Sequence, residues 1–541
     1  MDVLGPPGSH LPQRGDDPPA AANPTAQLVA VEERLISAEA VGEGAGPLRR
    51  IVGALLGPSL ALGLLLAPLP LAADQQRLAA VLALVVVWWV SEVVPIPITG
   101  LFGLGLCALL GVAPAATIFG AFASPTIFLF IGSFMLARAM TLHGLDRRFA
   151  FRILALPGVA ESTTRTIVAF GLVAASLSAV ISNTATAAML LPIGVGIVRV
   201  FGGLLRSNAA RGSSGPPRSR NLAVALMLMI AYGASVGGLL TPIGSPPNLL
   251  GRQFIRDATG LQIDFLTWMA MAAPIVALMF AALCVILVGL NRPEVDRIPG
   301  VRAFLDAERA RLGPVSAAEW ATLVAFGVAV AGWVAPGLAG LVLGETAPIA
   351  ILLRERLDEG VVAILAASLL FLIPLDRSLR RFPLPWPEAA RIDWGTILLF
   401  GSGITFGTLL TTSGLAAVVG EGLAAGLGAP SLFAVTALAV GAAIVISEAA
   451  SNTASVGIIV PVVIPIAVAA GLDPVVPALG AVFGASYGFM LPVSTPPNAI
   501  VYGTGLVPLP RMIRAGAVFD ATGLAIIAVG ITVMTALLGL R

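Results

Sequence analysis

The 541-residue chain contains no lysine; all 31 of its basic residues are arginine. A codon bias of the source genome accounts for that, and no function is read from it. Only two histidines occur, His10 and His143, which excludes the usual His-based metal sites and catalytic triads. The two cysteines, Cys107 and Cys284, stand far apart in apolar runs and suggest neither a disulfide framework nor a metal cluster. Charge is scarce as well. Charged residues make up 11% of the chain, whereas soluble domains carry about 25%. With 57% hydrophobic residues and a mean hydropathy of +0.96, the chain reads as a polytopic membrane protein. A net charge of +2 is too small to argue for nucleic acid. No His-Glu-x-x-His and no paired intramembrane aspartates are present, so an intramembrane enzyme is poorly supported.

What is present is a repeated polar interruption. Ser178-Ala-Val-Ile-Ser182-Asn183-Thr184-Ala185 is followed six residues later by Pro192; Ser447-Glu-Ala-Ala-Ser451-Asn452-Thr453-Ala454 is followed at the same distance by Pro461. Each copy has a second matched piece, Pro242-Ile-Gly-Ser-Pro-Pro-Asn248 and Pro492-Val-Ser-Thr-Pro-Pro-Asn498. One Ser-Asn-Thr in an apolar run is more often a kink or a packing motif. Two copies at corresponding places in a hydrophobic chain point to a transporter site built from broken helices.

Taken in order, residues 1–50 are rich in Pro, Gly, Ala and charge and read as a disordered cytoplasmic tail. This is no signal peptide, since the first apolar run follows Arg49-Arg50. Residues 51–142 read as first-half scaffold helices, with spans near 51–72, 77–95, 98–113 and 116–142. Residues 143–165, with Arg147, Arg148 and Arg152 opposite Phe and Leu, read as an interfacial helix. Residues 166–290 hold a re-entrant hairpin with Ser182-Asn183-Thr184 at its tip, a broken span and a following span; a full-length span with a polar kink is the alternative. The stretch 204–221 is an arginine-bearing loop and 291–317 a cytoplasmic loop. Second-half scaffold helices follow over 318–415, with a loop at 337–358. Residues 416–541 form a link (416–430), a second hairpin, a second broken span and a last span.

This amounts to about eleven transmembrane helices plus two hairpins in two inverted repeats. With the N-terminus inside, most loop arginines fall on the inner side, as the positive-inside rule asks; Arg354 and Arg356 are the exceptions. Glu92 and Glu448 are intramembrane acids. Glu92 is expected at a helix end, and Glu448 either orients the second hairpin or binds a cation.

Non-helical backbone inside a bilayer is tolerated only where protein or a water-filled cavity satisfies it. A Ser-Asn-Thr tip offers hydroxyl, amide and carbonyl oxygens to a small hard cation such as Na⁺. The helix after it offers free N–H groups and a positive dipole end to an anion. Each Pro-Pro-Asn does likewise, with Pro suited to the first helical turn. No arginine lies in either tip or break, so the anion would be held by neutral donors, dipoles and bound cations.

These motifs resemble the divalent anion/Na⁺ symporter family, the sodium-coupled dicarboxylate, citrate and sulfate carriers. Supporting marks are Phe128-Leu-Phe-Ile-Gly132, His143-Gly-Leu-Asp-Arg-Arg148 and Ile392-Asp-Trp394 leading into Leu399-Phe-Gly-Ser-Gly403. The resemblance covers residues 50–540 and implies an elevator-type homodimer in the inner (plasma) membrane, with scaffold and transport domains. It implies one Na⁺ site at Ser178, Ser182, Asn183 and Gly244, and another at Ser447, Ala450, Asn452 and Ser494. The anion would meet Asn183, Thr184, Ser245, Pro246, Asn452, Thr453, Thr495 and Pro496. It further implies no cofactor beyond Na⁺ as coupling ion, and as substrate a divalent anion such as succinate or sulfate. An electroneutral exchanger of the same family, and a related carrier of the arsenite-pump type, remain the alternatives.

Overall fold

The structure, a computed structural model, describes residues 46–209, 220–427 and 430–540. The expected tail thus lies outside the described residues up to residue 45, and so does most of the arginine-bearing loop 204–221. Among the described residues every regular element is helical. Helix α1 (Pro47–Leu66) pairs with α2 (Ala73–Ser91), which closes at Glu92 in the left-handed region (φ 51°). Glu92 therefore sits at a helix end, as expected. After α3 (Ile96–Leu109), the stretch 116–142 is divided: α4 (Ala115–Gly120) and a 3-10 turn precede α5 (Pro125–Leu142). Ser124 makes the division, accepting from the Thr126 N–H ahead of a proline at the first helical position. The stretch expected to form the interfacial helix holds α6 (Leu145–Leu154), which buries Leu145, Phe151 and Leu154.

The first hairpin is α7 (Thr163–Ser178) and α8 (Asn183–Ala209), and the broken span is α9 (Arg220–Gly237) and α10 (Pro246–Thr259). Next comes α11 (Phe265–Leu290), N-capped by Asp264. The segments read as loops or link at 291–317, 337–358 and 416–430 prove partly helical. They hold α12 (Val301–Arg311), α14 (Pro348–Arg356) and α18 (Leu415–Leu427), elements too short to register as spans. Between them lie α13 (Ala317–Leu343), opened by a Ser316–Glu319 capping box, then α15 (Glu359–Leu372), α16 (Trp386–Ala389) and α17 (Trp394–Thr412). The second hairpin is α19 (Leu432–Ala449) and α20 (Asn452–Ala469); the second broken span is α21 (Val475–Ala485) and α22 (Pro496–Gly503), and α23 (Leu509–Leu537) is last.

Among the described residues, ten helices are long and apolar enough to cross a bilayer, three of them hairpin arms. Counting each broken pair once, and including the shorter α3 and α15, the candidate crossings among the described residues are α1, α2, α3, α5, α9–α10, α11, α13, α15, α17, α21–α22 and α23, in number the eleven expected. An odd number of them (α9–α10, α11, α13, α15 and α17) separates the hairpins, so the two enter from opposite faces. In both hairpins the helix ends and restarts after a short turn, and both arms pack on the first half of the broken span that follows. Leu55, Leu62, Val285, Leu341 and Val445 are exposed on these helices, apolar side chains of the kind a bilayer would cover. The core is formed by α9 and α21, each packed on the incoming arm of its own hairpin. Glycine permits the approach: a Cβ on Gly237 would lie 2.1 Å from the Ala175 carbonyl oxygen, and one on Gly484 would lie 2.8 Å from that of Val440.

Candidate functional site

The first tip is residues 179–182, between α7 and α8. Ser178 Oγ donates across the turn to Asn183 Oδ1 at 2.5 Å. Ser182 Oγ caps α8, accepting from the Ala185 N–H at 3.2 Å. The first break faces this tip. Thr241 Oγ1 donates to the Ala179 carbonyl and accepts from the Gly244 N–H at 3.0 Å. Asn248, fully buried, donates Nδ2 to the carbonyls of Gly238 (2.8 Å) and Thr241 (2.9 Å), groups left over where α9 stops. The approach is so close that a Cβ on Gly238 would fall 2.4 Å from Asn183 Oδ1, and one on Gly244 would fall 2.9 Å from the Ser178 carbonyl oxygen. The oxygens of Ser178, Asn183, Gly238 and Gly244 thus gather where any added side chain would sit.

The second half repeats this plan. Ser447 Oγ lies 2.9 Å from Asn452 Oδ1 and 2.7 Å from the Ala485 carbonyl oxygen, and Ser451 Oγ accepts from the Ala454 N–H at 3.3 Å. Asn498 donates Nδ2 to the carbonyls of Gly488 and Leu491, both at 3.1 Å. A Cβ on Gly488 would come within 3.0 Å of both the carbonyl and hydroxyl oxygens of Ser447. One difference between the halves changes the bonding of the tip. Where the first has Ala179, the second has Glu448, whose carboxylate accepts from the Met490 N–H (2.8 Å), the Leu491 N–H (3.1 Å) and Ser494 Oγ (2.6 Å). Glu448 therefore ties the tip to the break. Of its two expected roles, the orienting one is visible.

The outgoing half-helices pack crosswise: α10 lies against α20, and α22 against α8. Four helix N-termini, at Asn183, Pro246, Asn452 and Pro496, thereby belong to one packed unit. Asn183, Thr184, Pro246, Asn452, Thr453 and Pro496 are partly exposed there, whereas Ser178, Ser447, Ser245, Thr495, Ala450 and Ser494 are buried. Ser182 and Thr495 both use a side-chain oxygen as a helix cap, Thr495 accepting from the Asn498 N–H at 3.4 Å. Matched orphan atoms complete the picture. Asn248 Oδ1 and Asn498 Oδ1 are buried without a hydrogen-bond partner, as are the hydroxyls of Ser235 and Ser486. Buried oxygens of this kind call for a partner, and a small cation is one that four oxygen-rich turns can supply a place for.

Sequence reasoning missed three features. Asn248 and Asn498 were read as motif ends, although they cap the broken helices. Arg49, at the start of α1, donates to the carbonyl of Ala449 at 2.6 Å and to that of Val90, and lies 3.8 Å from Glu92. It brings an arginine to the second hairpin from 400 residues away, and the motifs carry no sign of it. Ser235 and Ser486 also sit in Gly-x-Ser-x-Gly spacing, the pattern of a hydrolase nucleophile. Neither hydroxyl has a partner to activate it, and His143, the histidine among the described residues, is engaged by the Pro383 carbonyl at 2.7 Å.

Residues 52–540 match the family described as the sodium:sulfate symporter transmembrane region. Among curated proteins, the chain is 31% identical over 471 residues to the sodium-dependent dicarboxylate transporter SdcS of Staphylococcus saprophyticus, covering 86% of this chain and 88% of that one. The SdcS of Staphylococcus aureus strain USA300 is 29% identical with the same coverage. Among solved structures, Neisseria gonorrhoeae MtrF aligns with a TM-score of 0.51 at 13% identity, covering 79% of this chain and 84% of that one, a likeness of fold alone. The chain belongs to the sodium:sulfate symporter family, as its motifs led one to expect, and is a multi-pass membrane transporter rather than an enzyme.

Proposed function

We propose that this member of the family is a Na⁺-coupled symporter of a C4-dicarboxylate such as succinate. The observation that carries the reading is the pair of matched oxygen cradles, each made by a hairpin tip and the break facing it. One Na⁺ would be held by Ser178, Ser182, Asn183 and the Gly244 carbonyl, and a second by Ser447, Ala450, Asn452 and Ser494. A dianion with separated carboxylates suits two separated sets of neutral donors. One carboxylate would meet Asn183, Thr184, Ser245 and Pro246, and the other Asn452, Thr453, Thr495 and Pro496. Bound Na⁺ beside each helix N-terminus would supply positive charge that the tips' own residues lack. Both SdcS relatives are dicarboxylate transporters, which favours a dicarboxylate over sulfate.

The mechanism proposed is an elevator. The hairpins and broken spans move as one transport domain against a scaffold of α1–α5 and α13–α17, within a homodimer in the plasma membrane. Loop arginines favour a cytoplasmic N-terminus.

The test is uptake of radiolabelled succinate and of sulfate into proteoliposomes, with and without an inward Na⁺ gradient. Na⁺-driven accumulation of succinate supports the reading. Uptake only in exchange for preloaded anion would replace it with an exchanger, and uptake of sulfate alone would overturn the dicarboxylate assignment.

A further inference from the structure

Arg49, in the first turn of α1, reaches the second hairpin, and its bonds are shared unequally. Among the described residues three groups meet its guanidinium. Two stand at the end of α2: the Val90 carbonyl, which accepts from Nη2, and the Glu92 carboxylate at 3.8 Å. The third is the carbonyl of Ala449, the last residue of α19, at 2.6 Å. The α1–α2 side is closely packed. Arg49, Gly53 and Gly57 follow one another a turn apart on one face of α1. A Cβ on Gly53 would lie 1.9 Å from Ser91 Oγ, and one on Gly57 would lie 2.7 Å from Trp88 Nε1. Glu92 keeps a left-handed backbone (φ 51°), a strained conformation for a residue with a side chain, which persists where the surroundings hold it.

On the hairpin side, Arg49 meets a helix end. The last carbonyls of a helix have no partner within it, and that end carries the negative pole of the dipole, which favours a cation. The outgoing arm α20 meets the same part of α2 through apolar surface. Ala454 is buried in one cluster with Trp89 and Leu104, and a Cβ on Gly457 would stand 3.4 Å from the Trp89 ring, an ordinary contact. Apolar contact of this kind is non-directional, so it does not fix where the tip rests along α1 and α2. The guanidinium bond does. Withdrawal of the tip would strand no charge, because Arg49 keeps the Val90 carbonyl and Glu92. The freed carbonyl belongs to Ala449, an exposed residue, and can turn to water.

We propose that Arg49 is a positioning residue, a latch on α1 that holds the tip of the second hairpin in the state seen here and releases it when the tip moves. Its part in transport rests on the carrier reading above. The latch itself concerns two conformations and is measurable without substrate.

The experiment reads distances between spin labels in proteoliposomes by pulsed EPR, with Cys107 and Cys284 replaced. The pair Leu55→Cys/Val445→Cys, both exposed, spans α1 and the second hairpin; Leu55→Cys/Leu172→Cys spans α1 and the first. Each pair is combined with Arg49, Arg49→Lys and Arg49→Gln. With Arg49 in place, one Leu55–Val445 distance should dominate. Arg49→Gln should bring in a second distance, its population relative to the first rising about tenfold. Arg49→Lys, a point charge without the fork that spans these partners, should give a rise of about threefold. An unchanged Leu55–Val445 distribution in Arg49→Gln would overturn the latch, and so would one in Arg49→Lys should Arg49→Gln fail to fold. A higher succinate concentration for half-maximal uptake with unchanged distances would also overturn it, making Arg49 an anion ligand instead. The Leu55–Leu172 pair separates the latch from the elevator. If it shifts as well, the two hairpins move together; if only the Leu55–Val445 pair shifts, the latch stands and the elevator reading fails. Succinate uptake by the same proteoliposomes tests the carrier reading independently.

Discussion

Asn183 and Asn452 each fix a serine hydroxyl of the incoming arm and start the outgoing helix, yet their surroundings are not equivalent. Ser447 Oγ has a second acceptor in the Ala485 carbonyl, whereas Ser178 Oγ has Asn183 Oδ1 as its one recorded partner. On the site proposed above, replacing either asparagine by alanine removes a cation ligand and an anion donor together, so Asn183→Ala and Asn452→Ala should both abolish Na⁺-driven uptake. Their stabilities should differ. Asn183→Ala leaves a fully buried hydroxyl unpartnered, a cost of about 1–3 kcal/mol, and Asn452→Ala does not. Thermal melting of the two purified variants should place Asn183→Ala below Asn452→Ala. The opposite order, or uptake by either variant, would contradict this description of the tips.

Each element here ends where its neighbour needs oxygen. Helix α9 stops at Gly237 because the next residues must leave their carbonyls free for Asn248 and their Cα free for Asn183. Gly238→Ala puts a methyl group 2.4 Å from Asn183 Oδ1, against an oxygen the hydroxyl of Ser178 already holds. Uptake should be lost even at saturating Na⁺ while the protein stays monodisperse. Gly503→Ala, at the exposed far end of α22 with open space around it, should leave uptake unchanged. The broken elements were legible in the sequence because both copies spell them with the same letters at the same offsets. What pins them was not. Glu448 is held by the backbone N–H groups of Met490 and Leu491, which carry no side-chain signature. Helices α12, α14 and α18 hid in segments read as loop because nine to thirteen residues cannot show a bilayer-length run.

At the scale of the whole molecule, the elevator reading divides the chain into a moving unit and a fixed one, and several bonds cross that division, that of Arg49 on α1 to the Ala449 carbonyl on α19 among them. Arg252 on α10 makes two hydrogen bonds of 3.0 Å each to Glu359 at the start of α15, and Thr126 on α5 donates to Gln253 of α10 at 3.0 Å. Since α10 is the outgoing half of the first broken span, these contacts join the proposed transport domain to the scaffold. A paired Arg–carboxylate fork is specific in geometry, and at partial exposure it is weak enough to break and reform. If the domain slides, these bonds must part in every cycle. With Cys107 and Cys284 replaced, the double variant Arg252→Cys/Glu359→Cys should transport until treated with a short bis-maleimide and then stop, whereas each single variant should be unaffected by the reagent. Succinate uptake that survives complete cross-linking, checked by a mass shift of the intact protein, would show that α10 and α15 do not separate during transport. Substrate would then have to reach the four tips by local opening of the hairpins instead of by movement of the whole domain.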